Sequence, residues 1–234
     1  MLIALEGIDG SGKSTIANMI YNKLKPKIPS IQSHHKLSPD FDHLYLRKQM
    51  YKLCEILTVP ANEQCYLSMF GERYWLFLVA AWFSVVQKNR IEPAKSQHNL
   101  MLMDGWYYRF IAKFLYKGNF DRGWLFSLFN TVDDPDLVVM LDIDPKTAWK
   151  RRQFFKPNEI GIYERGSAEF SGDDFQLYCT YQSALRETLL QFSKEKSWFV
   201  VHQTDQTTKD EACNFICDHI LKTFKNHLYP NGIP

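Results

Sequence analysis

No stretch of this sequence is long and apolar enough to cross a membrane as a helix. Its most apolar run, residues 74–86, falls short of the roughly 20 residues a bilayer requires and reads as a buried helix instead. Charge of one sign is not in excess either. Lys and Arg number 28 against 26 Asp and Glu, a net of +2. So balanced a chain is not built mainly to hold nucleic acid or an anionic membrane, and any basic site must be local. Cysteine is sparse and unpatterned: Cys54, Cys65, Cys179, Cys213 and Cys217 are odd in number and form no C-x-x-C pair. That usage fits a reducing compartment with free thiols rather than a disulfide scaffold or a zinc site. No signal-peptide pattern precedes the first strand, so a cytoplasmic protein is expected. Repeats, low-complexity segments and a dividing linker are missing too, which predicts one domain over residues 1–234. With 45% hydrophobic and 23% charged residues, that domain can bury a sizeable core.

What is present begins at residue 7. Gly7-Ile8-Asp9-Gly10-Ser11-Gly12-Lys13-Ser14, with Thr15 behind it, fits G-x-x-x-x-G-K-[ST] at every fixed position. An apolar run at residues 1–6 reads as a buried strand before it. Ile16, Met19, Ile20 and Leu24 mark one face of a helix after it. Strand, glycine loop and helix together let backbone N–H groups cradle a phosphate chain at a helix N-terminus. The loop residues Gly7, Asp9, Gly10, Ser11, Gly12, Lys13, Ser14 and Thr15 are therefore the predicted ATP site. Lys13 supplies charge on the β- and γ-phosphates, and the Ser14 hydroxyl is a ligand for Mg²⁺.

Further along, residues 30–34 read as a second strand with His34-His35-Lys36 at its end, and residues 43–57 as a helix. Residues 63–90 carry one long helical pattern whose middle is apolar on all sides, as a buried or interface helix would be. Residues 100–104, 136–142 and 197–202 read as three more strands. Helices follow at 106–116, 145–155 and 208–224, and another spans 174–194, after a glycine-containing flap at about 155–173. Apolar strands alternating with helices predict an α/β fold of the P-loop NTPase type: a five-stranded parallel sheet between helical layers.

Two carboxylates end apolar strands, Asp104 and Asp142. P-loop enzymes hold Mg²⁺ through such an Asp. Asp104 is preferred because Trp106-Tyr107-Tyr108-Arg109 follows it, an aromatic and cationic cluster suited to a substrate. Phosphoryl transfer also needs cations on the transferring group, and Arg151, Arg152 and Arg165 lie beside or within the flap. Asn-Lys-x-Asp is absent, as is any Asp-x-x-Gly switch beyond the glycine loop, which argues against a GTPase.

Leu5-Glu6-Gly7-Ile8-Asp9-Gly10-Ser11-Gly12-Lys13-Ser14-Thr15 resembles the opening of thymidylate kinases. Pro93-Ala94 with Leu102-Met103-Asp104 is similar to that family's approach to its Asp-Arg-Tyr strand end. Pro135-Asp136-Leu137 through Asp144-Pro145, with Arg151 after it, is similar to its fourth strand and the helix leading to the LID. Asp174-Phe175, Tyr178 and Tyr181 look like the helix beyond. The resemblance implies MgATP as donor, a (deoxy)nucleoside monophosphate as acceptor, most of all dTMP, and a homodimer through the long apolar helices. It also implies that Asp9 approaches the acceptor sugar, that Asp104 serves the metal and the acceptor end, and that the catalytic arginine is among Arg151, Arg152 and Arg165, since the loop carries none. The acceptor side departs from the family. His34-His35-Lys36 stands where Arg-Glu-Pro-Gly-Gly is expected, and Gly105 replaces the arginine after the strand-three Asp. Lys36, Arg73, Tyr107 and Arg109 are the candidate acceptor contacts in their place. These departures leave two alternatives, a deoxynucleoside kinase or a nucleotide-binding protein without an acceptor site.

Overall fold

A strand that is covered on both faces must be apolar on both, and β1 (Leu2–Glu6) is buried at every residue. The computed structural model describes residues 1–60, 63, 66, 69–152, 154–161 and 173–228. In it, β1 is the centre of a five-stranded sheet that also contains β2 (Gln32–His35), β3 (Met101–Asp104), β4 (Leu137–Ile143) and β5 (Phe199–Gln203), in the order β2-β3-β1-β4-β5. Every pairing is parallel, with Ile3 opposite Leu102 on one side and Leu137 on the other. Period-2 alternation divides β1 between two cores. Leu2 and Ala4 pack into one, and Ile3 and Leu5 into the other. The second core is closed by α1 (Lys13–Leu24) and α10 (Lys209–Leu228), through Ile16, Ile20 and Leu24 and through Cys213, Ile216 and Ile220. The first is larger and aromatic. It is built from α2 (Leu44–Leu57), α3 (Glu72–Val86), α5 (Tyr108–Tyr116), α6 (Arg122–Ser127) and α9 (Asp174–Glu195). The remaining helices are short: α4 (Glu92–Ser96), α7 (Pro145–Lys150) and α8 (Pro157–Ile160). No helix among the described residues is long and apolar enough to cross a membrane.

The expected α/β fold, five parallel strands between helical layers, is the observed one. Some boundaries move. The helix expected from residue 63 to 90 begins only at Glu72, behind the non-helical backbone of Gly71. It then widens into a π-helical turn at Gln87–Ile91 before α4. The apolar pattern misled because it ran through this change of pitch, which periodicity alone does not register. The widened turn has a task. Arg90 in it donates from Nη2 to the carbonyls of Ser38 and Asp40 at 2.9 and 3.2 Å, and its guanidinium lies 4.3 Å over the Phe41 ring. Trp82 Nε1 donates to the Lys36 carbonyl at 2.7 Å, and Cys54 Sγ to that of Leu37 at 3.4 Å. The loop leaving β2 is thereby pinned to α2 and α3 at the residue that the site uses. The helix expected from 145 to 155 stops at Lys150, and its N-cap is Asp144, which accepts from Lys146 N–H at 2.9 Å. Asp142 has a different role from the cap that its position suggests. It is 3% exposed, accepting from Arg186 Nε and Nη2 at 2.5 and 3.0 Å, with His202 Nδ1 at 2.8 Å. Residues 162–172 of the predicted flap, Arg165 included, lie outside the described residues.

Candidate active site

In open parallel sheets the crevice forms at the carboxyl ends of the strands where the connections diverge. Here that is the end of β1, between β3 and β4. The glycine loop leaves β1 at this point and closes on α1. Gly7, at φ 145, has no room for a side chain, since a Cβ there would sit 2.6 Å from the Leu141 carbonyl and 2.9 Å from Ser11 Oγ. The Lys13 side chain is 8% exposed and turns back into the loop. Its ammonium donates to the carbonyls of Gly7 and Ile8 at 2.9 and 2.7 Å and to Ser11 Oγ at 3.2 Å. Burial, with the Arg109 charge adding to it and Asp9 opposing, draws the Lys13 pKa down to about 8. Ser14 and Thr15 are exposed on the first turn of α1.

A second charged cluster stands beside the loop. Asp9, 6% exposed, pairs with Arg109 of α5. Its backbone is held from α9: Tyr178 donates its hydroxyl to the Asp9 carbonyl at 2.5 Å, and Asp9 N–H donates to Gln182 Oε1 at 3.1 Å. Gln182 Nε2 in turn donates to Asp9 Oδ2 at 3.2 Å and to the Glu159 carbonyl at 2.6 Å. Burial alone would raise the Asp9 carboxyl, but the charges of Arg109, Lys113, Lys13 and Lys36 together outweigh it, so Asp9 lies below the usual carboxylate range and stays ionised. Glu6, fully buried at the end of β1, accepts from Trp106 N–H at 3.0 Å through Oε1, while its Oε2 has no hydrogen-bond partner among the described residues. Its pKa is raised by burial, which exceeds the opposing pull of Lys36, Lys13 and Arg109. Lys36, 7% exposed, is drawn down to about 7 by burial and then by the Arg109 and Lys13 charges. Asp104 closes the group from β3, with His35 Nε2 at 3.8 Å from its Oδ2.

The structure thus gathers the loop residues, Asp9, Lys36, Asp104 and Arg109 at one end of the sheet. It takes Tyr107 and Arg73 elsewhere. Tyr107 stacks on Phe129 with centroids 4.5 Å apart and donates its hydroxyl to Asp134 at 2.6 Å, the core placement of an aromatic ring with a polar tip. Arg73 is exposed, 5.7 Å over the Trp124 ring. Arg151 is linked to the loop through one intervening residue, Gln203. Its Nη1 donates to Gln203 Oε1 at 2.8 Å, and Gln203 Nε2 donates to the Ser11 carbonyl at 3.2 Å. Arg152 pairs with Glu159 at 3.1 Å and covers the Phe155 ring. Glu6, Tyr178 and Gln182 were not singled out as site residues from the sequence. Gln182 did leave a signal: it is a polar residue on the helical face of Tyr178, Tyr181 and Leu185, where an amide is retained only if it has partners.

Asp104 makes no hydrogen bond to another described side chain, so its carboxylate is free to take a cation's water shell. No three His, Cys, Asp or Glu side chains gather into a metal cluster among the described residues. Mg²⁺ held mostly by phosphate oxygens needs only one or two protein ligands, and Asp104 with the exposed Ser14 hydroxyl fits that requirement.

A triphosphate cradle and a separate recess of acids and bases, meeting at the crevice of one parallel sheet, define the P-loop kinases that phosphorylate a small acceptor. Within that class the chain belongs to the thymidylate kinase family, whose model matches residues 5–211. It is 26% identical over 230 residues to the probable thymidylate kinase 1 of Saccharolobus solfataricus, covering 97% of this chain and 98% of that one. It is 25% identical over 227 residues to the thymidylate kinase of Mesomycoplasma hyopneumoniae strain J, covering 96% and 98%. The crystal structure of thymidylate kinase from Ehrlichia chaffeensis shares the fold, with a TM-score of 0.59 at 18% identity over 95% of this chain and 97% of that one.

Proposed function

We propose that this protein transfers the γ-phosphoryl group of ATP to thymidylate, forming dTDP and ADP. The observation that carries the reading is the placement of buried Lys36 and Asp9, with Arg109 paired to Asp9, next to Lys13. Transfer between two phosphates needs cations on both, and the site holds one on each side. In this reading the loop amides and Lys13 hold the donor phosphates. Arg109 and Lys36 receive the acceptor's phosphate, Asp9 meets its sugar, and Arg151, Arg152 or Arg165 completes charge neutralisation from the flap. Asp104 and Ser14 would hold the Mg²⁺ that comes with ATP, which would supply further positive charge beside the phosphates. The deciding experiment incubates the protein with MgATP and a panel of nucleosides and nucleoside monophosphates and follows ADP. ADP formation dependent on thymidylate is expected. Stimulation by thymidine alone would convert the reading to a deoxynucleoside kinase, and stimulation by no acceptor would end the kinase reading.

Asp104→Asn is expected to raise the Mg²⁺ concentration needed for half-maximal rate roughly 10-fold or more, the usual scale for removing a group that orients a metal's ligands. A variant with wild-type Mg²⁺ dependence would remove Asp104 from the metal site. Self-association is part of the same proposal. α2 buries only Met50 among its residues and exposes Leu44, Tyr45 and Tyr51, while neighbouring α3 exposes Phe77 at 50%. Two such faces together would cover apolar surface that a monomer leaves in water. Sedimentation at micromolar concentration is expected to report a dimer.

A further inference from the structure

The Lys36 side chain lies where a side chain on residue 105 would be. Gly105 follows β3 at φ 97, and a Cβ built on it would lie 2.8 Å from Lys36 Cδ, 3.0 Å from its Nζ and 3.5 Å from its Cε. The contact with Cδ is shorter than real Cβ atoms show and that with Nζ is tight, so a side chain at 105 would push the lysine stem aside. The strand order explains why Lys36 is there at all. β2, β3 and β1 are consecutive neighbours, and Lys36, Gly105 and Glu6 stand at or just beyond their carboxyl ends. Lys36 therefore reaches from the edge strand across β3 toward the central one, where Glu6 acts on it electrostatically. Its stem passes the Phe110 ring, with the ammonium 5.8 Å from the centroid. Its carbonyl is tied to Trp82, so the backbone that launches it is fixed. The ammonium itself makes no hydrogen bond and no close ion pair with any described residue. A buried, unpaired cation is costly unless something arrives to pair with it.

We propose that Gly105 is the specificity-determining position of the acceptor site: the side chain it lacks leaves the space through which Lys36 enters, and the ammonium delivered there is what distinguishes a phosphorylated acceptor from a free nucleoside. This inference rests on the thymidylate reading. It goes beyond that reading in assigning the discrimination to one cation from β2 and the access of that cation to an absent side chain on β3. A lysine is a compact point charge with three donors, not the planar fork of an arginine.

The test uses the full chain, with thymidylate and thymidine as probes. Calorimetry measures binding of each in the presence of a non-hydrolysable ATP analogue, and steady-state kinetics measure turnover. Lys36→Met is expected to weaken thymidylate binding and raise its KM by roughly 10- to 100-fold, the range for losing a charge-assisted hydrogen bond. The KM for MgATP should stay within about 2-fold, and thymidine binding should be unmoved. Gly105→Ala should reproduce the Lys36→Met pattern. The double variant should be no worse than either single one, since both remove the same ammonium. Multiplying effects, or a Lys36→Met enzyme with wild-type affinity for thymidylate, would overturn the proposal. If Gly105→Ala fails to fold, the split between thymidylate and MgATP in Lys36→Met decides alone. A wild-type protein that binds no thymidylate would overturn the thymidylate reading and this inference together. Wild-type binding with an indifferent Lys36 overturns only the inference.

Discussion

Lys13→Ala is expected to lower kcat by about 10³-fold, the scale seen when a preorganised charge is removed from a transferring group. Folding should not suffer. The side chain ends among three oxygen acceptors of its own loop, the carbonyls of Gly7 and Ile8 and Ser11 Oγ. An ammonium buried to 8% exposure contributes desolvation cost as well as hydrogen bonds. Near-wild-type melting with a collapsed turnover is therefore the expected pair of results. A loss below 10-fold at saturating substrates would show that the loop amides and the flap arginines carry the charge by themselves. Lys13→Arg is not expected to rescue, because a planar guanidinium cannot turn back among those three acceptors. The pH dependence follows from the lowered pKa of about 8, caused by burial and by Arg109. In the free protein the amine loses its proton as the pH rises through that value, so the KM for ATP should rise above about pH 8.

Asp9→Ala should damage both stability and activity, and the two losses can be separated. Removing Asp9 leaves the Arg109 guanidinium, 13% exposed, without its partner. Breaking a buried pair from one side costs about 3–5 kcal/mol. The variant should unfold at markedly lower urea concentration. The double variant Asp9→Ala/Arg109→Met should recover much of that stability, because no buried charge is left unpaired, yet remain inactive toward any acceptor. Equal stability of the single and double variants would show that the pair contributes nothing to the fold. The acid limb provides a second measurement. The Asp9 pKa is depressed in the folded state, so its contribution is whole above the ordinary value of 3.8. It is lost progressively as the pH falls below that value toward the depressed one, because the unfolded chain then takes up the proton first. The wild type should lose stability more steeply than the double variant in this acid range.

The boundary between legible and illegible in this chain follows the range of the interactions involved. The phosphate loop is a contiguous segment whose function needs only its own backbone, one lysine and the start of a helix, so eight residues sufficed to read it. The strands were legible for a related reason. A parallel strand is buried on both faces, and residues 136–142 or 1–6 show that as an unbroken apolar run. Asp104 and Arg109 could be singled out because they sit at or just past the end of such a run. Where pitch changes without a change in polarity, as between Glu63 and Arg90, the pattern gave a helix that starts too early and misses its π-helical turn.

The crevice beside the loop was legible only in part: Asp9, Lys36 and Arg109 could be named, but not their partners, because the group is assembled from four segments far apart in the chain. Gln182 reaches Asp9 from α9, Glu6 meets Trp106 across the β1–β3 seam, and Lys36 lies over Gly105 because β2 and β3 are neighbours. Tyr107 and Arg73 carried the right chemistry but point to Asp134 and Trp124, since side-chain direction depends on the packing of α5, α6 and α3 and not on the sequence nearby. The sequence by itself determined a nucleotide kinase fold with ATP at its first turn, through local backbone geometry and continuous burial. Only the tertiary structure decided which charges stand together at the crevice, because strand order brings Lys36 over Gly105 and beside Glu6 at the carboxyl ends of three neighbouring strands.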